Sequence, residues 1–124
     1  MKEQSLRIGV DIDGILRAFH ERLREIYLKY NPNEKVRTID DWNNDSLQTY
    51  FEKDIKIFYT KDHCQEIYSG ASLIKDSLDF MNKLYKNSYV TLVTNQPDKY
   101  TEELTWDWLL TKKVPYDDVL FTND

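Results

Sequence analysis

The chain has 124 residues, 40% hydrophobic and 14% aromatic, which suits one domain with a packed core and argues against a disordered chain. Its net charge of −5 with 31% charged residues gives a field that repels nucleic acid, so a broad DNA- or RNA-binding surface is not expected, while a local pocket for a small anion is compatible. Cys64 is the lone cysteine; neither an internal disulfide nor a thiolate metal cluster can form, as suits a reducing compartment.

The opening Met1-Lys2-Glu3-Gln4-Ser5 leads straight into an apolar run without a signal-peptide stretch, and no window approaches about 18 apolar residues, so a cytoplasmic protein without a membrane span is expected. Residues 6–12 are short, apolar and partly β-branched, with Gly14 just beyond, which predicts a buried strand ending in a tight turn. Leu16, Phe19, Leu23, Ile26 and Tyr30 then recur at helical spacing until Asn31-Pro32 stops the pattern. Residues 33–70 are aromatic and charged; a helix over about 46–59 and a shorter one after Asp62 are expected, and no strong strand.

Ser72 is a candidate cap for a helix with Leu73, Ile74, Leu78, Met81 and Leu84 on one face, ending near Asn87. Tyr89 to Thr94 is the clearest strand, bounded by Asn95-Gln96-Pro97. Asp98 caps the next helix, which carries Leu104, Trp108 and Leu109 to about Lys113. After Pro115, Asp118 to Thr122 reads as a third strand. Strands alternating with helices of this length predict an α/β fold with a parallel sheet, and such sheets bind ligands beyond the carboxyl ends of their strands.

That rule places Asp11, Asp13, Thr94 and Asn95 on one edge of the sheet. With 14 Asp and 3 Gly in the chain, the pattern D-x-D-G arises by chance only about 0.04 times; an acidic turn of purely structural origin is the competing reading. In an extended segment residues i and i+2 face the same side, so both carboxylates can meet one group. Gly14 permits a close turn beside them. His20 and His63 have no partner at ligand spacing and suggest no zinc site.

In their order these motifs resemble the haloacid dehalogenase-like (HAD) superfamily of phosphohydrolases: Asp11-Ile12-Asp13-Gly14-Ile15-Leu16 is similar to its first motif and Val90-Thr91-Leu92-Val93-Thr94-Asn95 to its second. More narrowly, the helical insert and the stretches IYSGASLIKDSLDFMNKL and TWDWLLTKKVPYDDVLFT resemble the 5'(3')-deoxyribonucleotidase and related nucleotidase branch. The resemblance implies a Rossmann-like, three-layer fold in one domain over 1–124, with core 1–30 and 71–124 and a helical cap at about 31–70. It also implies a Mg²⁺-dependent phosphomonoester hydrolase acting on a small phosphorylated substrate such as a nucleoside monophosphate. Asp11 would be the nucleophile forming an aspartyl-phosphate, and Asp13 the acid and base. Thr94, Asn95 and Gly14 would bind the phosphoryl group, and Asp11 with the Asp13 backbone carbonyl would hold Mg²⁺. Thr94 has a bland alternative, since Thr is common in strands.

The resemblance further implies a phosphoryl-neutralising lysine and an acidic pair after a fourth strand, and the lysine would be expected next after Asp124. Lys99, on the active edge, is a candidate replacement, although a solvated helix-start lysine is the commoner case, and Arg17 is a candidate contact for a substrate phosphate or sugar, equally read as an exposed helix-start residue. Asp117-Asp118 fall at the amino end of their strand, Asp40-Asp41 in the insert, and Asp124 about 10 Å from Asp11 at two strand spacings. Trp42, Tyr50, Phe51, Phe58 and Tyr59 either stack on a base or form the core of the insert. In the family's strand order the Leu6-to-Val10 strand is flanked by the second and fourth strands, so without the fourth this edge lies open; either the chain is a piece of a longer enzyme, or a second copy or partner chain covers the edge, or catalysis has been lost and the fold repurposed. The alternative function is then an inactive HAD-like binding protein that uses this edge.

Overall fold

A computed structural model describes residues 6–40 and 44–122; the expectations for Asp41, Trp42 and Asp124 lie outside the described residues. Strands β1 (Leu6–Asp11), β2 (Ser88–Asn95) and β3 (Asp118–Thr122) form a parallel sheet in the order β1-β2-β3, so the expected α/β fold is the one that forms. Leu6 lies opposite Ser88 and Asp11 opposite Val93, while Thr91 lies opposite Asp118 and Asn95 opposite Thr122. All three strands therefore end on one edge. Along β2 the buried positions Ser88, Val90, Leu92 and Thr94 alternate with more accessible ones, the period of a strand with one face in the core.

Five α-helices accompany the strands among the described residues: α1 (Phe19–Tyr30), α2 (Ile55–Ile57), α3 (Cys64–Gly70), α4 (Ser77–Asn87) and α5 (Lys99–Lys112). A 3₁₀ segment spans Asn44–Tyr50 and a π-helical turn Phe58–Asp62. Two apolar clusters result. Val10, Ile12 and Leu16 join Val90 and Leu92 of β2, Met81 of α4, and Trp108 and Leu109 of α5. The second cluster unites the apolar face of α1 (Phe19, Leu23, Ile26, Tyr27) with insert residues including Tyr50, Phe51, Phe58 and Ile67.

Three boundaries depart from the sequence reading. Helix α1 begins at Phe19 rather than near Leu16, because residues 12–17 form a tight loop. In it the Ile12 carbonyl accepts from the N–H groups of Leu16 (2.8 Å) and Arg17 (3.0 Å), and Gly14 sits at φ 89°, a conformation glycine adopts without steric cost. The spacing of Leu16 reported burial, not helix. Helix α4 begins at Ser77 rather than after Ser72. Ala18 N–H donates to the Ser72 carbonyl (2.9 Å) and Ile74 N–H to that of Leu16 (2.7 Å), so 72–74 runs beside the loop as an extended segment. The single helix expected over 46–59 is broken, because the Gln48 side chain takes over its backbone groups: Nε2 donates to the carbonyls of Phe51 (3.1 Å) and Lys53 (2.6 Å), and Oε1 accepts from Ile55 N–H (2.9 Å). Such side-chain bonds compete directly with the helical ladder.

Candidate active site

The loop and the strand ends bring the predicted residues to the floor of a cavity of about 950 Å³. Asp11, the last residue of β1, and Asp13, just beyond it, line this floor together with Gly14, Thr94 and Asn95. One Asp11 carboxylate oxygen accepts from Ile12 N–H at 2.9 Å. Burial raises the Asp11 pKa above its ordinary 3.8; that hydrogen bond opposes the shift and the nearby Asp13 charge adds to it.

Asp13 is held more firmly than its position after a strand suggested. Arg17 Nε donates to its Oδ1 at 2.6 Å and Nη2 to its Oδ2 at 3.1 Å, a two-point grip. Gln96 Nε2 donates to the same Oδ2 at 3.2 Å and to the Thr94 hydroxyl at 2.7 Å. Gln96 thereby ties the end of β2 to the loop after β1 and leaves the Thr94 hydroxyl proton free to donate. Asp13 thus accepts three hydrogen bonds, one on Oδ1 and two on Oδ2, which leaves one acceptor position of Oδ1 open.

Arg17 is not the exposed helix-start residue of the alternative reading. It is 0% exposed and does not line the cavity: its guanidinium lies over the rings of Tyr68 and Trp108, 5.0 and 5.2 Å from their centroids, and also donates to Thr105 Oγ1 at 3.0 Å. Its remaining nitrogen, Nη1, is buried without a hydrogen-bond partner among the described residues. Lys99 is exposed and likewise absent from the cavity wall. Asp117 accepts from Val90 N–H at 2.7 Å on the far edge of the sheet, and Asp40 accepts from the Tyr50 hydroxyl at 2.6 Å within the insert.

The opposite wall belongs to α1 and the insert. Phe19, Tyr59 and Tyr68 supply aromatic surface, His20 and Gln48 polar groups, and Lys56 and Lys61 positive charge. Of the aromatic residues proposed to face a ligand, Tyr59 does line the cavity, whereas Tyr50, Phe51 and Phe58 are buried in the insert's cluster. Burial raises the pKa of Tyr59 and of Tyr68, with the Asp13 charge adding to each, so both phenols keep their protons. Burial lowers that of His20, against the pull of Asp13. The sequence reading assigned no role at the site to Gln96, Tyr68, Lys56 or Lys61. Gln96 carried one usable signal, a polar residue directly after the strand-end pair Thr94-Asn95.

Among the described residues no three His, Cys, Asp or Glu side chains gather as a metal-ligating group. Asp11 and Asp13 line the floor, and carboxylate and carbonyl oxygens are hard donors of the kind Mg²⁺ takes when waters and substrate phosphate oxygens complete its octahedron.

Compared with protein-family models and with curated proteins, the chain matches none. Among solved structures it is similar to YfnB from Bacillus subtilis, described as a HAD-hydrolase bound to magnesium with interdomain movement, at a TM-score of 0.55 and 14% identity. The match covers 94% of this chain and 65% of YfnB, so the chain spans about two-thirds of that neighbour's length. The likeness is one of fold: this chain has an α/β, HAD-like architecture.

Proposed function

We propose that this chain is a Mg²⁺-dependent phosphomonoester hydrolase of nucleotidase type that acts through Asp11. One observation carries the reading: Asp11, Asp13 and Thr94 converge at the carboxyl edge of a parallel sheet, beneath a cavity of about 950 Å³ with aromatic residues opposite. An Asp11 oxygen attacks phosphorus as the ester P–O bond breaks, giving an aspartyl-phosphate. Asp13, entering the step protonated, gives its proton to the departing oxygen; as a carboxylate it then takes a proton from the water that releases phosphate and restores Asp11. The Thr94 hydroxyl donates to a phosphoryl oxygen, and Asn95 and Gly14 border the same space. Asp11 and the Asp13 carbonyl would hold Mg²⁺, which supplies charge neutralisation to the phosphoryl oxygens. The substrate proposed is a small aryl or nucleoside monophosphate, its ring system against Tyr59 and Phe19, in a cytoplasmic protein.

The test is release of phosphate from p-nitrophenyl phosphate and nucleoside monophosphates with Mg²⁺ or with chelator. Turnover that needs Mg²⁺ and disappears in Asp11→Asn is expected. Turnover that survives Asp11→Asn, or none by the wild-type chain under any of these conditions, overturns the reading.

A second reading, a non-catalytic interaction protein, is favoured by two observations. Asp13 already accepts three hydrogen bonds from Arg17 and Gln96, and β1 pairs only with β2 among the described residues, with Leu6 75% exposed at its start. A strictly monomeric chain in solution that also binds no partner argues against it.

A further inference from the structure

Phosphate entering this cavity meets the carboxylates of Asp11, Asp13 and Asp98. Arg17 offsets Asp13, and Asp98 is bound to the Thr101 N–H at the start of α5, but Asp11 and Asp98 still repel an anion. Among the described residues the lysines on the cavity wall are Lys56 and Lys61. Neither takes part in an ion pair among those residues, so both charges are available to a ligand.

The chain carrying them changes from α-helix to the π-helical turn Phe58–Asp62 between the two. In an α-helix residues four apart stack on one face, so Lys56 would align with residue 60. Here the backbone widens: His63 N–H donates to the Phe58 carbonyl five residues back, at 2.9 Å, and the Thr60 hydroxyl donates to the Lys56 carbonyl at 2.6 Å. Tyr59, Thr60 and Lys61 all line the cavity together with Lys56, and single π-helical turns recur at functional sites.

We propose that Lys56 and Lys61 form an anion clamp on the insert that receives a phosphate dianion over Asp11 and supplies the positive charge the carboxylate floor lacks. The inference rests on the phosphohydrolase reading for its location and gives that reading its source of charge. The ligand is a tetrahedral phosphate, either free or as the phosphoryl group of a monoester.

Titration calorimetry of the whole chain with inorganic phosphate in Mg²⁺ buffer tests it, alongside KM for p-nitrophenyl phosphate. Each of Lys56→Ala and Lys61→Ala is expected to weaken phosphate binding about tenfold, and the double substitution more, the loss of one charged hydrogen bond apiece. The double arginine variant, which keeps the charge, is expected to bind within a few-fold of wild type. Both lysines are exposed, so these variants should fold, and circular dichroism checks this. Phosphate affinity unchanged in the double alanine variant, or no phosphate binding by the wild-type chain, overturns the clamp. The two claims fail separately. Asp11-dependent turnover with a KM indifferent to both lysines removes the clamp alone, and lysine-dependent phosphate binding without turnover removes the hydrolase reading alone. If the lysines alter KM for the ester but leave free phosphate binding untouched, the clamp as proposed is wrong.

Discussion

A guanidinium with no exposed surface persists only where the protein replaces its water, and the replacement around Arg17 is the carboxylate of Asp13, the hydroxyl of Thr105 and the faces of Tyr68 and Trp108. Removing one partner of such a pair leaves the other poorly compensated. Arg17→Ala is therefore expected to destabilise the fold by about 3 kcal/mol, measured as a lower urea midpoint at an unchanged slope. Arg17→Lys should recover only part of the loss, because a point charge cannot make the planar two-point contact. An Arg17→Ala variant as stable as wild type would show that the pair contributes nothing. Asp13→Asn also disturbs this network, but its larger effect is expected on turnover, a loss on the order of 10²–10⁴-fold for an acid and base. A variant that loses stability while keeping its turnover would make Asp13 structural, the acidic-turn reading of the sequence.

Between elements, the junction of α1 with α3 is electrostatic on its outer side. Glu66 of α3 accepts from Tyr30 (2.5 Å) and Lys29 (2.9 Å) of α1, and His63 Nδ1 lies 3.5 Å from it. The Tyr30 hydrogen bond, then the Lys29 one, pull its pKa down to about 2 from an ordinary 4.5. A carboxylate whose folded pKa is depressed contributes stability above its unfolded pKa and loses it as pH falls, here through the window from 4.5 to about 2. Thermal unfolding followed across that window should fall less steeply in Glu66→Gln than in wild type; parallel curves would show that the junction adds nothing. At the start of α5, Asp98 accepts from Thr101 N–H at 2.9 Å in a reciprocal capping box, and Asp98→Ala is expected to cost about 1 kcal/mol, read from the same denaturant curves. That cap was legible in the sequence because it is local. The break of the 46–59 helix was not, because one glutamine's bonds to three backbone groups leave no periodic trace.

For the whole molecule, the arrangement that matters is a cavity between two apolar clusters, one built on the sheet and one on α1 with the insert. Helix α5 spans both, with Leu104 in the insert's cluster and Trp108 and Leu109 in the sheet's, while the Trp108 indole N–H donates to the Ala71 carbonyl at 2.8 Å. The outer side of β1 is the exposed flank of this assembly among the described residues. Unpaired backbone beside an exposed Leu6 invites strand addition. Size-exclusion chromatography over rising concentration is expected to show species larger than the 14.9 kDa chain, reversed by Leu6→Lys with little change in stability. A wild-type chain that stays monomeric throughout would mean that the edge does not self-associate.

The sequence by itself determined the features that depend on neighbours in the chain. The α/β alternation, the span of β3, the start of α5 and the arrival of Asp11, Asp13 and Thr94 at strand ends all follow from spacing and turn chemistry within a few residues. The tertiary structure alone decided what surrounds them. Arg17 meets Thr105 across 88 positions and Gln96 meets Asp13 across 83, and no local pattern says that the first is enclosed while the second closes the floor. Lys56 and Lys61 line one wall although their spacing of five positions matches no single α-helical face. Burial and long-range pairing are properties of the packed chain, so the aspartates could be read in advance, and the groups that grip, neutralise or face them could not.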